Sequence, residues 1–130
     1  MAFYLDTSAA AKLVVAEPAS EAMASWAATN ETRLTASDLL RTELLRATRR
    51  AAPHRMRRAR SVLDALTLFD LTSATFERAA TLDPEELRSL DALHLAAALE
   101  LGDELDAIVT YDSRMAAAAS LYGVAVVAPA

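Results

Sequence analysis

Four acidic residues stand at places in the sequence where their carboxylates could act together. Asp6 directly follows the apolar run AFYL, and Asp112 follows the run IVTY. Glu43 and Asp91 lie in the stretches LLRTELLRA and ELRSLDALHL, at the i+3 and i+4 spacing of the apolar residues around them. That spacing places both acids on the inward face of a helix. Several carboxylates in one cleft repel one another, and each would take up a proton unless a cation neutralised them.

A divalent metal ion is the natural cation for such a site. Carboxylate and water ligands without sulfur suit Mg²⁺ or Mn²⁺, and the chain has no cysteine. Such an ion orients a phosphodiester and lowers the pKa of a bound water for in-line attack, so the pattern predicts hydrolysis without a protein nucleophile. Thr7 or Ser8 can hydrogen-bond the Asp6 carboxylate and fix its orientation. An N-cap role for either hydroxyl is an equally good interpretation.

Each acid also has a simpler structural interpretation. Asp6 and Asp112 precede helical stretches, and Asp is among the preferred N-cap residues. Glu43 and Asp91 could lie at the edge of a buried face, paired with an arginine such as Arg46. These interpretations explain the acids one at a time. The placement of all four at strand ends or on inward helix faces favours a common site.

Short strand-like runs alternate with helical stretches along the whole chain. Strands are predicted at 2–5, 33–36, 66–71, 106–111 and 124–128, and helices at about 8–16, 19–29, 38–51, 54–65, 73–81, 84–101 and 113–121. This alternation predicts a central parallel sheet of about five strands in a three-layer α/β/α fold, in a single domain over residues 1–130. Ligands of such sheets bind beyond the carboxyl ends of the strands, where Asp6 and Asp112 are expected.

Four stretches carry a family resemblance: YLDTSA, RTELLRA, SLDALHLAAAL and VTYDSRMAAAA. In order and spacing they resemble the four acidic motifs of PIN-domain ribonucleases, and more narrowly those of VapC-type toxins of bacterial type II toxin-antitoxin pairs. The resemblance implies a Mg²⁺- or Mn²⁺-dependent endoribonuclease whose catalytic and metal-binding residues are Asp6, Glu43, Asp91 and Asp112. It also implies an RNA substrate, a cognate VapB-type antitoxin that masks the site, and a toxin homodimer.

The charge of the chain is unevenly distributed. The formal net charge is −5, yet residues 41–60 hold eight arginines and a single acid, Glu43. Pro53 is expected to separate two helices in this segment. Guanidinium groups contact phosphates through paired hydrogen bonds, so the segment predicts binding of the RNA backbone or of an acidic stretch of the antitoxin. The plainer interpretation is a solvated face.

No apolar run approaches the ~18 residues that span a bilayer, so we expect a cytoplasmic protein without a membrane partner.

Other functions are compatible with acids at the edge of a parallel sheet. A receiver-like phospho-acceptor domain also binds Mg²⁺ there, but it needs a lysine beyond a late strand, and the only lysine is Lys12. A haloacid-dehalogenase-like phosphatase needs a DxDx[TV] motif, which is absent. A catalytically silent PIN-like binding module would lack an acid, and all four are present.

Two residues near the acids have open roles. His94 is either a metal ligand or general base, or a partly buried histidine that hydrogen-bonds an acid or a backbone carbonyl. Arg114 either contacts phosphate or pairs with an acid.

Overall fold

The computed structural model describes residues 1–130, and its elements follow the predicted alternation. The strands are β1 (Ala2–Leu5), β2 (Leu34–Ser37), β3 (Thr67–Phe69), β4 (Leu105–Val109) and β5 (Val126–Val127). The helices are α1 (Thr7–Lys12), α2 (Ser20–Thr29), α3 (Leu39–Ala51), α4 (Met56–Ala65), α5 (Ser73–Ala80), α6 (Ser89–Leu99) and α7 (Ser113–Leu121). All five strands are parallel, and helices cover both faces of the sheet, so the predicted three-layer α/β/α class is confirmed.

The strand order brings the first and the fourth strand side by side. Across the sheet the order is β3-β2-β1-β4-β5. The chain adds strands on one side of β1 as far as β3 and then crosses to the other side, so β1 and β4 flank the topological switch point. Leu5 pairs with Val109 in the register of these two strands. The residues that follow them, Asp6 and Thr110, therefore emerge next to each other.

Alternate residues of β1 face the two sides of the sheet. Leu5 packs in a core with α1 to α4, which includes Leu40 and Leu44 of α3. Tyr4 packs in the opposite core with α6 and α7, where alanines make up half of the buried residues. Small side chains allow close packing of helix against sheet. The inward face of α6, which carries Asp91 and His94, is thereby held against the sheet.

Helix α1 is shorter than predicted because side chains from elsewhere in the chain satisfy the backbone beyond its end. The helix stops at Lys12 rather than at residue 16. The carbonyl of Leu13 accepts a hydrogen bond from Arg58 Nε at 3.0 Å, and the carbonyl of Val14 accepts one from Arg55 Nε at 2.8 Å. These long-range contacts satisfy two carbonyls outside the helix, and a continued helix could not satisfy that of Val14, because the residue four positions on is Pro18, which has no N–H.

Helix α6 begins at Ser89 rather than at residue 84. Arg88 is extended, with a ψ of 152°, and residues 84–87 form a separate turn closed by a hydrogen bond from Leu87 N to Pro84 O at 3.0 Å. Leu87 packs against the alanine-rich core, which holds this turn off the helix axis. Asp91 consequently lies in the first turn of α6, where the helix dipole favours a negative charge.

The arginine-rich segment is a helical hairpin, as predicted. Helix α3 ends at Ala51, a 3₁₀ turn spans Pro53–Arg55, and α4 begins at Met56. Strands β3 and β5 are shorter than predicted, at 67–69 and 126–127. None of the helices combines the length and the apolar character needed to cross a membrane.

Candidate active site

The Asp6 carboxylate lies at the topological switch point, where it is buried and both of its oxygens accept hydrogen bonds. Its Oδ1 accepts hydrogen bonds from Ser8 Oγ at 2.6 Å and from Ala9 N at 3.1 Å. Its Oδ2 accepts one from Thr110 Oγ1 at 2.5 Å, across the boundary between β1 and β4. Burial raises the pKa of Asp6, although these three donors act to lower it. An ionised Asp6 is therefore costly in the folded protein unless a cation stands nearby.

The two hydroxyl residues behind Asp6 bond different acids. Ser8 bonds Asp6 as expected, but Thr7 Oγ1 donates to Glu43 Oε1 at 2.9 Å. The predicted N-cap role of Thr7 or Ser8 is wrong, because the Asp6 side chain itself caps α1. The hydroxyl that the sequence analysis missed is Thr110. Its only sequence signal is a polar residue within the run IVTY. This signal becomes informative once β4 is known to lie beside β1.

Glu43 is held in a buried polar network rather than by an arginine. His94 Nε2 donates to Glu43 Oε1 at 2.5 Å. The other ring nitrogen, Nδ1, shares a hydrogen bond of 2.8 Å with the Tyr4 hydroxyl, which in turn donates to Ser37 Oγ at 3.0 Å. Burial by itself would raise the pKa of Glu43, but His94 and the Thr7 hydroxyl together lower it. Glu43 is therefore held as a carboxylate.

The hydrogen bonds around Glu43 decide the role of His94 and the pairing predicted for Arg46. His94 is buried and bonds an acid, which confirms the second of its two predicted interpretations. Arg46 forms no ion pair with Glu43, so the predicted pairing of these two residues is wrong, and the partner of the acid comes from α6. A histidine one turn along the helix from Asp91 thus anchors the acid of α3.

Asp91 and Asp112 are half-buried and have few protein partners. Asp112 caps α7, since its Oδ1 accepts a hydrogen bond from Arg114 N at 2.9 Å. The nearest cation to Asp91 is Arg88, whose Nε stands 3.9 Å from Oδ2, beyond hydrogen-bond distance. Burial raises the pKa of Asp91, and the negative charges of Asp112 and Asp6 raise it further. These three carboxylates therefore lie within electrostatic reach of one another.

The four acids fit a hard divalent cation by their chemistry. All the donors are carboxylate oxygens, as Mg²⁺ and Mn²⁺ prefer. Asp91 has no hydrogen-bond donor of its own, and its charge is opposed by two neighbouring acids. With the side chains as they stand, no three His, Cys, Asp or Glu residues converge into a formed metal site.

The arginine segment serves more than one purpose. Arg55 and Arg58 bond backbone carbonyls beyond α1 and are therefore structural. Arg46 and Arg50 are exposed on α3, on the side that carries Glu43. Arg114 is exposed and pairs with no acid, which removes the ion-pair interpretation of this residue and leaves its contact with phosphate as a prediction.

Asp6, Glu43, Asp91 and Asp112 lie at one edge of the sheet, which we call the acidic edge. Comparison with known families identifies the class of protein to which this fold and this edge belong. The family model described as PIN domain matches residues 3–121. The chain therefore belongs to the PIN-domain family.

Its relatives within that family are VapC proteins. Ribonuclease VapC46 of Mycobacterium tuberculosis is 41% identical over 128 residues, covering 98% of this chain and 98% of that protein. Ribonuclease VapC47 of the same species is 41% identical over 116 residues, covering 86% and 85% of the two chains. The crystal structure of M. tuberculosis VapC20, described as a sarcin-ricin loop cleaving toxin, matches with a TM-score of 0.77 at 18% identity and covers 98% of this chain and 100% of its own. The predicted VapC-type resemblance is confirmed, and the last comparison shows the shared fold.

Proposed function

We propose that this chain is a divalent-metal-dependent endoribonuclease in which Asp6, Asp91 and Asp112, with Glu43, hold the ion. The observation that carries the proposal is the state of Asp91, whose carboxylate lies within electrostatic reach of Asp112 and Asp6 and has no hydrogen-bonded cation. The relatives that bear the name ribonuclease support RNA as the substrate class.

The residues of the chain have distinct tasks in this proposal. A bound Mg²⁺ or Mn²⁺ supplies a Lewis acid for the phosphodiester and acidifies a water. Thr7, Ser8 and Thr110 donate hydrogen bonds to Glu43 and Asp6, and in this proposal these hydroxyls orient the acids. The chain has no cysteine, and the nucleophile in this proposal is a water rather than a protein side chain. Glu43, ionised through His94, keeps its negative charge at the edge of the site.

The metal requirement is tested by cleavage and by thermal melting in parallel. Wild-type protein should cleave single-stranded RNA with Mg²⁺ or Mn²⁺ and lose that activity in EDTA. Asp91→Asn should fold but lose about 100-fold or more of the cleavage rate. Mg²⁺ at 100 times its Kd should stabilise the wild type by about 2.7 kcal/mol, and Asp91→Asn clearly less.

Two outcomes would contradict the proposal. Full cleavage in EDTA, or by folded Asp91→Asn, would overturn the metal-dependent mechanism. RNA binding without cleavage by the wild type would favour a catalytically silent binding module instead.

We further propose that the nuclease acts in the cytoplasm as the toxin of a type II pair, restrained by a VapB-type antitoxin and working as a homodimer. The VapC relatives support the toxin role, and the exposed Phe76 on α5 leaves apolar surface for self-association. Expression of the wild type alone should arrest growth, whereas Asp91→Asn should not. Light scattering should give the mass of a dimer. Harmless expression in a host without the antitoxin would overturn the toxin role and leave the nuclease proposal standing.

A further inference from the structure

A cavity beside the acidic edge joins two of the proposed active-site helices. It has a volume of about 300 Å³ and is lined by Thr7 and Glu43 on one side of the site and by Arg46, Arg50 and Leu90 farther out. Leu90 directly precedes Asp91 on α6, and it is 48% exposed. The cavity therefore lies between the helix that carries Glu43 and the helix that carries Asp91.

Helix geometry explains why only two arginines of α3 reach this cavity. Arg46 and Arg50 follow Glu43 by about 4.5 Å and about 10.5 Å along the axis and are turned from it by about 60° and about 20°. Arg49 is turned from Glu43 by about 120° and does not line the cavity. Arg46 and Arg50 thus form a short basic track that leads away from the acid.

These two arginines have no partner within the protein. Both are exposed, and neither forms an ion pair or donates a side-chain hydrogen bond. Arg41 on the same helix is paired with Asp38 at 3.5 Å, and Arg55 and Arg58 are engaged with backbone carbonyls. The side chains of Arg46 and Arg50 are therefore available for an external anion.

We infer that Arg46 and Arg50 bind backbone phosphates of the RNA strand beside the scissile bond, and that the cavity between α3 and α6 is the path of the strand into the site. The inference rests on the proposed nuclease function and specifies how that site receives its substrate. Four carboxylates repel an approaching polyanion, and a cationic track at the rim offsets this repulsion for a strand entering along α3. Guanidinium groups suit the task because they contact phosphate oxygens in pairs. Leu90 supplies an apolar opposite wall for ribose or base.

The test compares two variants that lose the same charge. Arg46→Gln/Arg50→Gln removes the track, and Arg49→Gln/Arg57→Gln removes two exposed arginines that do not line the cavity. Both are made in the Asp91→Asn background, and binding of a labelled single-stranded RNA is measured in a salt series. A single strand contributes a slope of about −0.7 per phosphate neutralised, so the track variant should flatten the log-log slope by about 1.4. Its Kd should rise about tenfold or more at 50 mM salt, and the control pair should change both quantities much less.

Further arms separate the possible outcomes. Arg46→Lys/Arg50→Lys keeps the charge and should retain most of the slope. Equal losses in the two Gln variants, or no loss in the track variant, would overturn the inference while wild-type cleavage still supports the nuclease function. Loss of antitoxin binding with unchanged RNA binding would also overturn it. Failure of the wild type to cleave or bind RNA would instead contradict the proposed function itself.

Discussion

The two halves of the acidic edge are built differently. Asp6 accepts three hydrogen bonds, the shortest from Thr110, and Glu43 accepts two. On the other half, Asp112 accepts one backbone hydrogen bond and Asp91 accepts none. The first half is oriented by the protein alone, and the second half is left with unbalanced negative charge.

This difference separates two requirements of a carboxylate site. Rigid placement comes from buried donors that are already satisfied before any ligand binds, as around Asp6. In the proposed function, affinity for a cation comes from carboxylates that repel one another and lack other partners, as around Asp91. Placing the two requirements on different residues lets the site be ordered and still favour an ion.

Among changes to the residues that surround the four acids, removing a hydrogen-bond donor from the ordered half should have the largest effect. Thr110→Val keeps the side-chain volume but deprives Asp6 of its partner and Asp112 N of an acceptor. We expect a loss of about 1–3 kcal/mol in the free energy of unfolding and a fall of about 10–100-fold in cleavage. Urea unfolding and single-turnover cleavage measure the two effects.

A matched change on the other half sharpens this test. Arg88→Gln removes the exposed cation nearest to Asp91 and should change stability by no more than about 0.5 kcal/mol. Thr110→Ser retains the hydroxyl and should keep most of the cleavage activity. Equal damage from Arg88→Gln and Thr110→Val would contradict the proposed difference between the halves.

A smaller loss of stability and cleavage is expected when the buried network behind Glu43 is changed. Tyr4→Phe leaves Ser37 Oγ and His94 Nδ1 without their shared partner in a buried network. The expected loss of unfolding free energy is about 1–2 kcal/mol. Cleavage should fall less than in Thr110→Val, because Glu43 keeps its bonds to Thr7 and His94. A cleavage loss as large as that of Thr110→Val would show that the network controls the chemistry directly.

The smallest expected effect is the pH dependence of stability that Asp91 contributes, in the half of the acidic edge with few hydrogen-bond partners. The pKa of Asp91 is raised above its ordinary value of 3.8, so its contribution to stability is present below pH 3.8 and is lost as the pH rises through the folded-state pKa. Without metal, Asp91→Asn should therefore be more stable than the wild type at pH 7, by about 0.2–1 kcal/mol. The two proteins should converge as the pH falls towards 4. Urea unfolding in EDTA across this range measures the difference, and a less stable Asp91→Asn at pH 7 would contradict the repulsion among the acids.

Local patterns determined much of this protein. The spacing of apolar residues predicted the alternation of strands and helices and placed Glu43 and Asp91 on inward helix faces, because helix periodicity depends only on neighbouring residues. The predicted capping roles of Asp6 and Asp112 are confirmed for the same reason, since a cap bonds a backbone group two or three residues away.

The tertiary structure alone decided which distant groups meet. Thr110 reaches Asp6 only because β4 is inserted beside β1, and no local pattern encodes that order. His94 reaches Glu43 because α6 and α3 converge at the end of the sheet, on opposite sides of it. The arginines of one basic segment are likewise divided by packing, with Arg55 supporting α1 and Arg50 lining the cavity. Residues of one type with similar local sequence acquire different roles because their partners are fixed by the arrangement of strands and helices, which depends on the packing of the whole core.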